Sequence, residues 1–353
     1  MSERTATILY GDELRDGKPK WALDSMLSDR AGLARHLANY DISLSVAAVR
    51  SGEESYDIIH QPEFDDNQEL IVEGVKQISG LELGRVILDR HTLAYGQKQR
   101  DLRMPQVNET EVQAYGANKL AAYKDIHGHL PEAIPTFLAS EHEQYLEAIP
   151  DGPFIAKPIK GSFGVGIKTF ASKAELQAWV NGEGSEAAER YIFQPKYDFT
   201  KPLPGLRPYS PADEGAFLER NYSPLVKEVR MYTFYNATSD ITTILPVARH
   251  NEPSLTEDRV HARWFFVQPE PLLERLAPPT TETARRLAQA AGATAVYISV
   301  DFGYGERGAE APDWRLIESN SRFTRLIDEE QHPEIGAKVR DSFARHVGEL
   351  LDS

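Results

Sequence analysis

Short apolar runs alternate with helix-like stretches through the N-terminal part of the chain. ATILY, ISLSVAAV and RVIL read as strands, and residues 28–38 and 67–78 carry helical spacing between them. That order packs as an open α/β sheet. The polar stretch RDLRMPQVNET, containing Pro105, reads as a connection. A new unit begins near Asn118, with a helix from Lys119 to about His127. It continues with the strand IPTFLAS, a helix over residues 141–148, and the strands FIAKPIK and GIKTF on either side of Gly161 to Gly166. Ser172, with Glu175 three residues later, makes a capping box ahead of the helix AELQAWV.

From Tyr191 onward the pattern is mostly strand: YIFQPKY, KEVRMYTFY, ITTILPVAR and RWFFVQ. The turn-rich NATSD joins the middle two as a hairpin. A helix TARRLAQAAG, a second strand pair (YISVDFGYG with WRLIESN) and a C-terminal helix over 335–351 complete the chain. Residues 198–224 have no clear period but hold Phe199, Leu203, Leu206, Tyr209, Phe217, Leu218 and Tyr222, which favours an ordered lid or substrate-facing loop. The expected units are 1–113, an α/β domain; 114–190, a small lobe with a glycine-rich loop; and 191–353, a larger lobe.

Composition narrows the function. At 353 residues the chain has room for two or three domains. A net charge of −15 without a long basic run argues against a nucleic-acid partner. The absence of cysteine excludes disulfides, thiolate metal sites and Cys nucleophiles. MSERTATILY is polar and then strand-like rather than a signal peptide, and no apolar run approaches the roughly 20 residues of a membrane span. The expectation is a cytoplasmic enzyme with no membrane partner.

Three segments carry candidate chemistry. In KPIKGSFGVGIK, glycines allow close backbone approach, Ser162 adds a hydroxyl and Lys157 a cation; this suits a flexible loop over phosphates or a surface turn. It is not a P-loop, since Ile167 stands where that motif has lysine. In VDFGYG and WRLIESN, strand alternation puts Glu318 and Asn320 on one face, with Asp301 beside them if the strands pair. Two carboxylates and an amide oxygen suit magnesium, or are two solvated strand ends. In KEVRMYTFY, Glu228 and Arg230 share a face opposite Val229 and Met231. His127 and His129 read as a helix cap; Arg249, His250, His261 and Arg263 sit where a surface or a substrate-facing role is open.

Lys119 at a helix start, then the K-P-x-x-G-S-x-G-x-G loop, Gln194-Pro195, E-V-R, D-F-G and E-S-N: in this order the chain resembles the ATP-grasp superfamily, which includes glutathione synthetase and D-alanine–D-alanine ligase. The resemblance covers about residues 118–325. It implies an α+β ATP-grasp fold, an N-terminal open α/β domain followed by two lobes that sandwich ATP. It places Lys119 and Lys157 beside the phosphates, and Gly161, Ser162, Gly164 and Gly166 over them. Gln194, Lys196 and Tyr197 fall at the adenine hinge, Glu228 or Asp198 at the ribose, and Arg263 near the phosphates. Asp301, Glu318 and Asn320 match ligands of one or two Mg2+, with Mn2+ as a substitute. Arg322, in ESNSR, matches an arginine that holds the acid, with Arg230 as second candidate. The implied reaction joins a carboxylate to an amine, both amino acids or peptides, through an acyl phosphate. A homodimer is compatible with it. An ATP-grasp kinase acting on a hydroxyl is the alternative, and a nucleotide-binding regulator a third. Two departures stand out: Gln194-Pro195 replaces the acidic hinge of many relatives, and Ser299 stands where D-alanine–D-alanine ligases carry arginine.

Overall fold

The computed structural model describes residues 4–11, 30–51, 110–160, 166–182, 185–208, 210–253, 260–267, 270–308, 310–320 and 333–352. It also describes short strands at 14–15, 18–19, 56–60, 63–64, 70–71, 81–84 and 106–107.

The N-terminal sheet is ordered β5 (Tyr56–His60), β4 (Ser43–Ser51), β1 (Thr5–Gly11), β8 (Leu81–Gly84), β9 (Gln106–Val107). Its neighbours run parallel except at the β4–β5 edge, and helix α1 (Arg30–Ala38) makes the crossover from β1 to β4. Two ribbons, β2 (Leu14–Arg15) with β3 (Lys18–Pro19) and β6 (Glu63–Phe64) with β7 (Leu70–Ile71), accompany it. The helix expected over 67–78 is corrected at Leu70 and Ile71, which pair in β7; its other residues and the strand expected at RVIL lie outside the described residues.

Helices α2 (Thr110–Ala117) and α3 (Lys119–Asp125) come next, the latter capped by the Asn118 side chain; Val112 of α2 and Ile126 after α3 pack into the core of the large sheet described below. The small lobe is built on an antiparallel sheet ordered β10 (Phe137–Leu138), β13 (Tyr191–Pro195), β11 (Phe154–Pro158), β12 (Lys168–Phe170). Helices α4 (His142–Ala148), α5 (Lys173–Asn181) and α6 (Ser185–Ala188) flank it. Phe137, Phe154, Phe170, Leu176 and Phe193 form its core. Ser172 accepts from the Glu175 N–H, while Glu175 accepts from the Ala171 N–H, one residue before the cap.

The large lobe is a five-stranded antiparallel sheet: β16 (Val260–Phe266), β15 (Ile241–Pro253), β14 (Val226–Asn236), β17 (Ala295–Gly305), β18 (Asp313–Asn320). Val229, Met231, Val296, Ile298 and Val300 point to one face, where helix α8 (Glu270–Ala291) packs. That helix begins well before the expected TARRLAQAAG and runs through Pro278 and Pro279. Leu272, Leu276, Ala284 and Leu287 keep an apolar stripe on the sheet across the prolines, and this burial overrides the N–H groups lost at Pro278 and Pro279. The expected loop at 198–224 also contains a helix, α7 (Glu214–Tyr222). Phe217 and Asn221, four residues apart, anchor it: Phe217 is in the core, and Asn221 bonds both the N–H and the C=O of Leu203.

The other face of the sheet is divided. At one end Tyr232, Phe234 and Tyr297 pack with Leu33 and Leu37 of α1 and with Val339, Phe343 and Val347 of α9 (Pro333–Leu351). At the other end the residues are charged. Among the described residues no helix is long and apolar enough to cross a membrane.

Candidate active site

The charged end is built from cross-strand rows. Glu228 on β14 lies opposite Arg249 on β15, which lies opposite Trp264 on β16. In the next row Arg230 faces Asp301 on β17, and Asp301 faces Glu318 on β18. One step further Ser299 faces Asn320. Glu318 reaches this face through an irregularity. Asp301 pairs with Glu318 but Phe302 pairs with Leu316, so Ile317 is an extra residue in β18. Trp314 and Leu316 belong to the α8-side core, and simple alternation would send Glu318 after them; the bulge turns it to the opposite face.

The side chains meet there. Arg230 Nε donates to Asp301 Oδ1 at 2.7 Å and Nη2 to Oδ2 at 2.6 Å, a bidentate pair. Arg249 Nη1 donates to Glu228 Oε2 at 3.0 Å. Both guanidinium carbons lie 5.2 Å from the Trp264 ring centroid. The Asn320 amide nitrogen is 3.4 Å from Asp301 Oδ2 and 3.4 Å from Glu318 Oε1. Two carboxylates and an amide form a hard-oxygen donor set once the amide turns its oxygen inward, which suits a divalent cation whose shell is completed by phosphate and water. Among the described residues no three His, Cys, Asp or Glu side chains are grouped to hold a metal without such help.

Lys157 enters from β11 of the small lobe. Burial pulls its ammonium below the usual range, Glu318 and Glu228 oppose that, and Lys119 adds to it. Glu228 is pushed up, first by burial and then by Asp301 and Glu318, against Arg249 and Arg230. For Arg230 burial works the other way, yet Asp301 holds the guanidinium well above its ordinary value. Four cations (Lys119, Lys157, Arg230, Arg249) thus share one electrostatic neighbourhood with three carboxylates. His127 is bonded to Ser319 Oγ at 2.8 Å and is lowered to about 4 by burial and by Lys157.

The residues expected at the adenine hinge run from the end of β13 into the residues after it. Gln194 is buried and donates to Thr136 Oγ1 at 2.7 Å, so its side chain belongs to the small-lobe core. The Lys196 N–H bonds Pro153 and the Asp198 N–H bonds Glu306, with Tyr197 between them. Tyr197 stacks on Phe199 at 6.2 Å and lies 5.1 Å from the Arg315 guanidinium carbon. Asp198 Oδ1 accepts from the N–H and hydroxyl of Thr200, which lower its pKa. The strand crosses close over β17: a Cβ at Gly305 would stand 2.5 Å from the Asp198 carbonyl oxygen, so the glycines of DFGYG make room for the hinge.

Of the other sequence candidates, Gly161, Ser162, Gly164 and Arg322 lie outside the described residues. Gly166 has φ 78° and sits against Pro158, as a turn glycine. Arg263 lies opposite His250 in the ladder. Two residues escaped the sequence reading. Trp264 looked like one more aromatic of RWFFV. Lys227 is fully buried, and its Nζ donates to the carbonyls of Thr200, Ser223 and Leu225. Its phase was the available signal, because Lys227 alternates with Val229 and Met231 on the apolar face of the strand.

No family model and no curated protein matches the chain. Solved structures do. D-alanyl-alanine synthetase A from Vibrio cholerae O1 biovar eltor matches over 99% of this chain and 99% of its own, at TM-score 0.54 and 12% identity. VanG D-Ala:D-Ser ligase from Enterococcus faecalis matches over 98% and 100%, at 0.58 and 12%. The ATP-grasp ligase PsnB, complexed with minimal precursor, matches over 96% and 97%, at 0.51 and 12%. What is shared at such identities is the architecture: this chain has the α+β ATP-grasp fold.

Proposed function

We propose that this protein is an ATP-dependent ligase that joins a carboxylic acid to an amine, the acid and amine being amino acids or peptides. The observation that carries the reading is the row Arg230–Asp301–Glu318 with Asn320, on a sheet face that Lys157 reaches from the other lobe. The names of the similar structures, D-alanyl-alanine synthetase and D-Ala:D-Ser ligase among them, support small amino-acid substrates.

In this reading the substrate carboxylate attacks the γ-phosphorus of ATP and ADP leaves. The amine then adds to the acyl phosphate, phosphate departs, and the amine proton is lost to solvent. No protein nucleophile is required; the chain supplies charge and position. Asp301, Glu318 and Asn320 would hold magnesium, which would supply positive charge to offset that of the phosphates. Lys119 and Lys157 neutralise phosphate oxygens, helped by the loop from Gly161 to Gly166 with Ser162. The backbone at Gln194, Lys196 and Tyr197 takes adenine, and Glu228 or Asp198 takes the ribose. Arg230 keeps N–H groups beyond the two on Asp301, and with Arg322 it holds the acid.

The test is product analysis with ATP and a panel of amino acids and short peptides. ADP and phosphate should appear only when both an acid and an amine are present. Glu318→Gln should lower turnover by at least about a thousandfold while its thermal midpoint stays within a few degrees of wild type. AMP with pyrophosphate would refute the acyl-phosphate route, and a stable phosphate ester would identify a kinase.

A further inference from the structure

The Arg230–Asp301 and Arg249–Glu228 pairs are joined by a residue that forms no ion pair. Trp264 is half-buried on β16, and each guanidinium carbon stands 5.2 Å from its ring centroid. The sequence of contacts is Glu228–Arg249–Trp264–Arg230–Asp301, spanning four adjacent strands. Each arginine is therefore held twice, by a carboxylate at its N–H edge and by a ring against its carbon.

These two kinds of contact do different work. A carboxylate fixes a guanidinium by consuming N–H donors and cancelling charge. An aromatic face attracts the same cation through its quadrupole and consumes no donor. The remaining N–H groups are left for a ligand, while the freedom of two long side chains is reduced before that ligand arrives. Arg249 and Trp264 share one cross-strand row, and Arg230 lies one row along the same face, so a single ring sets the spacing of two forks.

We infer that Trp264 is a positioning residue: its ring presets the Arg230 and Arg249 guanidiniums as a paired receptor for the carboxylate of the acid substrate. The proposal deepens the ligase reading and rests on it. Trp264 touches the arginines and acts through them.

The experiment compares Trp264→Phe and Trp264→Leu in the full chain, since phenylalanine keeps a π face and leucine keeps only apolar bulk. Steady-state kinetics are run with the acid and amine that the product analysis identifies. Trp264→Leu should raise KM for the acid about tenfold and leave KM for ATP within about twofold, and Trp264→Phe should restore most of the loss. The second readout needs no turnover. The Nε–Hε NMR resonances of Arg230 and Arg249, assigned with Arg→Lys variants, carry the ring-current shift of Trp264, and both should move in Trp264→Leu. Unmoved arginine resonances overturn the proposal. So do moved resonances with an unchanged KM for the acid, or a Trp264→Phe protein no better than Trp264→Leu. Failure of the ligase reading shows separately, as wild-type protein with no acid-dependent ADP release.

Discussion

Lys227→Met isolates what holds the 198–225 segment on the large lobe. The Nζ of Lys227 donates to Thr200 O at 2.5 Å, Ser223 O at 2.7 Å and Leu225 O at 2.9 Å, so one ammonium ties both ends of that segment to β14. Two terms oppose each other. Hydrogen bonds from a charged donor are worth roughly 1.5–3 kcal/mol each, or about 4.5–9 kcal/mol for the set of three. Burying an ammonium removes several kcal/mol of hydration; burial accordingly holds this group below the usual lysine range, with Asp198 pulling it back. Methionine has nearly the same length and relieves the second term, but it leaves three carbonyls without a donor. The net loss expected is about 3 kcal/mol, the order found when one member of a buried charged set is deleted. The segment has its own contacts through Phe217 and Leu203, so the loss should appear first as local undocking. Hydrogen exchange is the assay. Amides over residues 200–225 should lose protection by a factor of about 100, while those of β17 change only as much as the global stability does. Protection in that segment within about threefold of wild type would refute the reasoning, showing that the aromatic contacts alone hold it.

Two further changes test the packing around the site. Gly305→Ala would place a methyl group 2.5 Å from the Asp198 carbonyl oxygen, so at least about 2 kcal/mol should be lost in urea unfolding; unchanged stability would mean the hinge strand yields freely. His250 packs between Phe217 and Phe265, and burial, then Lys227 and Arg220, lowers its pKa to about 4. The unfolded chain therefore binds a proton that the folded chain refuses between pH 6.5 and about 4. Stability is present above pH 6.5 and falls with pH across that window, by up to about 3 kcal/mol from this group. His250→Phe should flatten that share of the fall, measured by urea unfolding at pH 7 and 4.5, and an identical pH slope would sink the account.

Local order was legible in the chain itself. Glu228 and Arg230 share a face because residues two apart on a strand must, and Ser172 starts a helix because its hydroxyl meets an N–H three residues on. NATSD closes a hairpin, with Asp240 in the left-handed region at φ 52°. These depend on neighbours within a few positions. The spacing of YISVDFGYG and WRLIESN also suggested that Asp301 would stand beside Glu318, and the two are paired in register. Other features belong to no local window. The bulge at Ile317, which turns Glu318 away from the face of Leu316, depends on how β18 registers against β17. Arg230 meets Asp301, and Arg249 and Trp264 join Glu228, because β14 lies between β15 and β17 in the sheet order. Helix α8 passes Pro278 and Pro279, against local propensity, because an apolar sheet face is there to be covered. Lys227 is in phase with the apolar face of β14, but its three acceptors are supplied only when the 198–225 segment folds back and presents their carbonyls to it. Periodicity determines which residues share a face of an element; which faces meet is decided by burial and strand order across the whole chain.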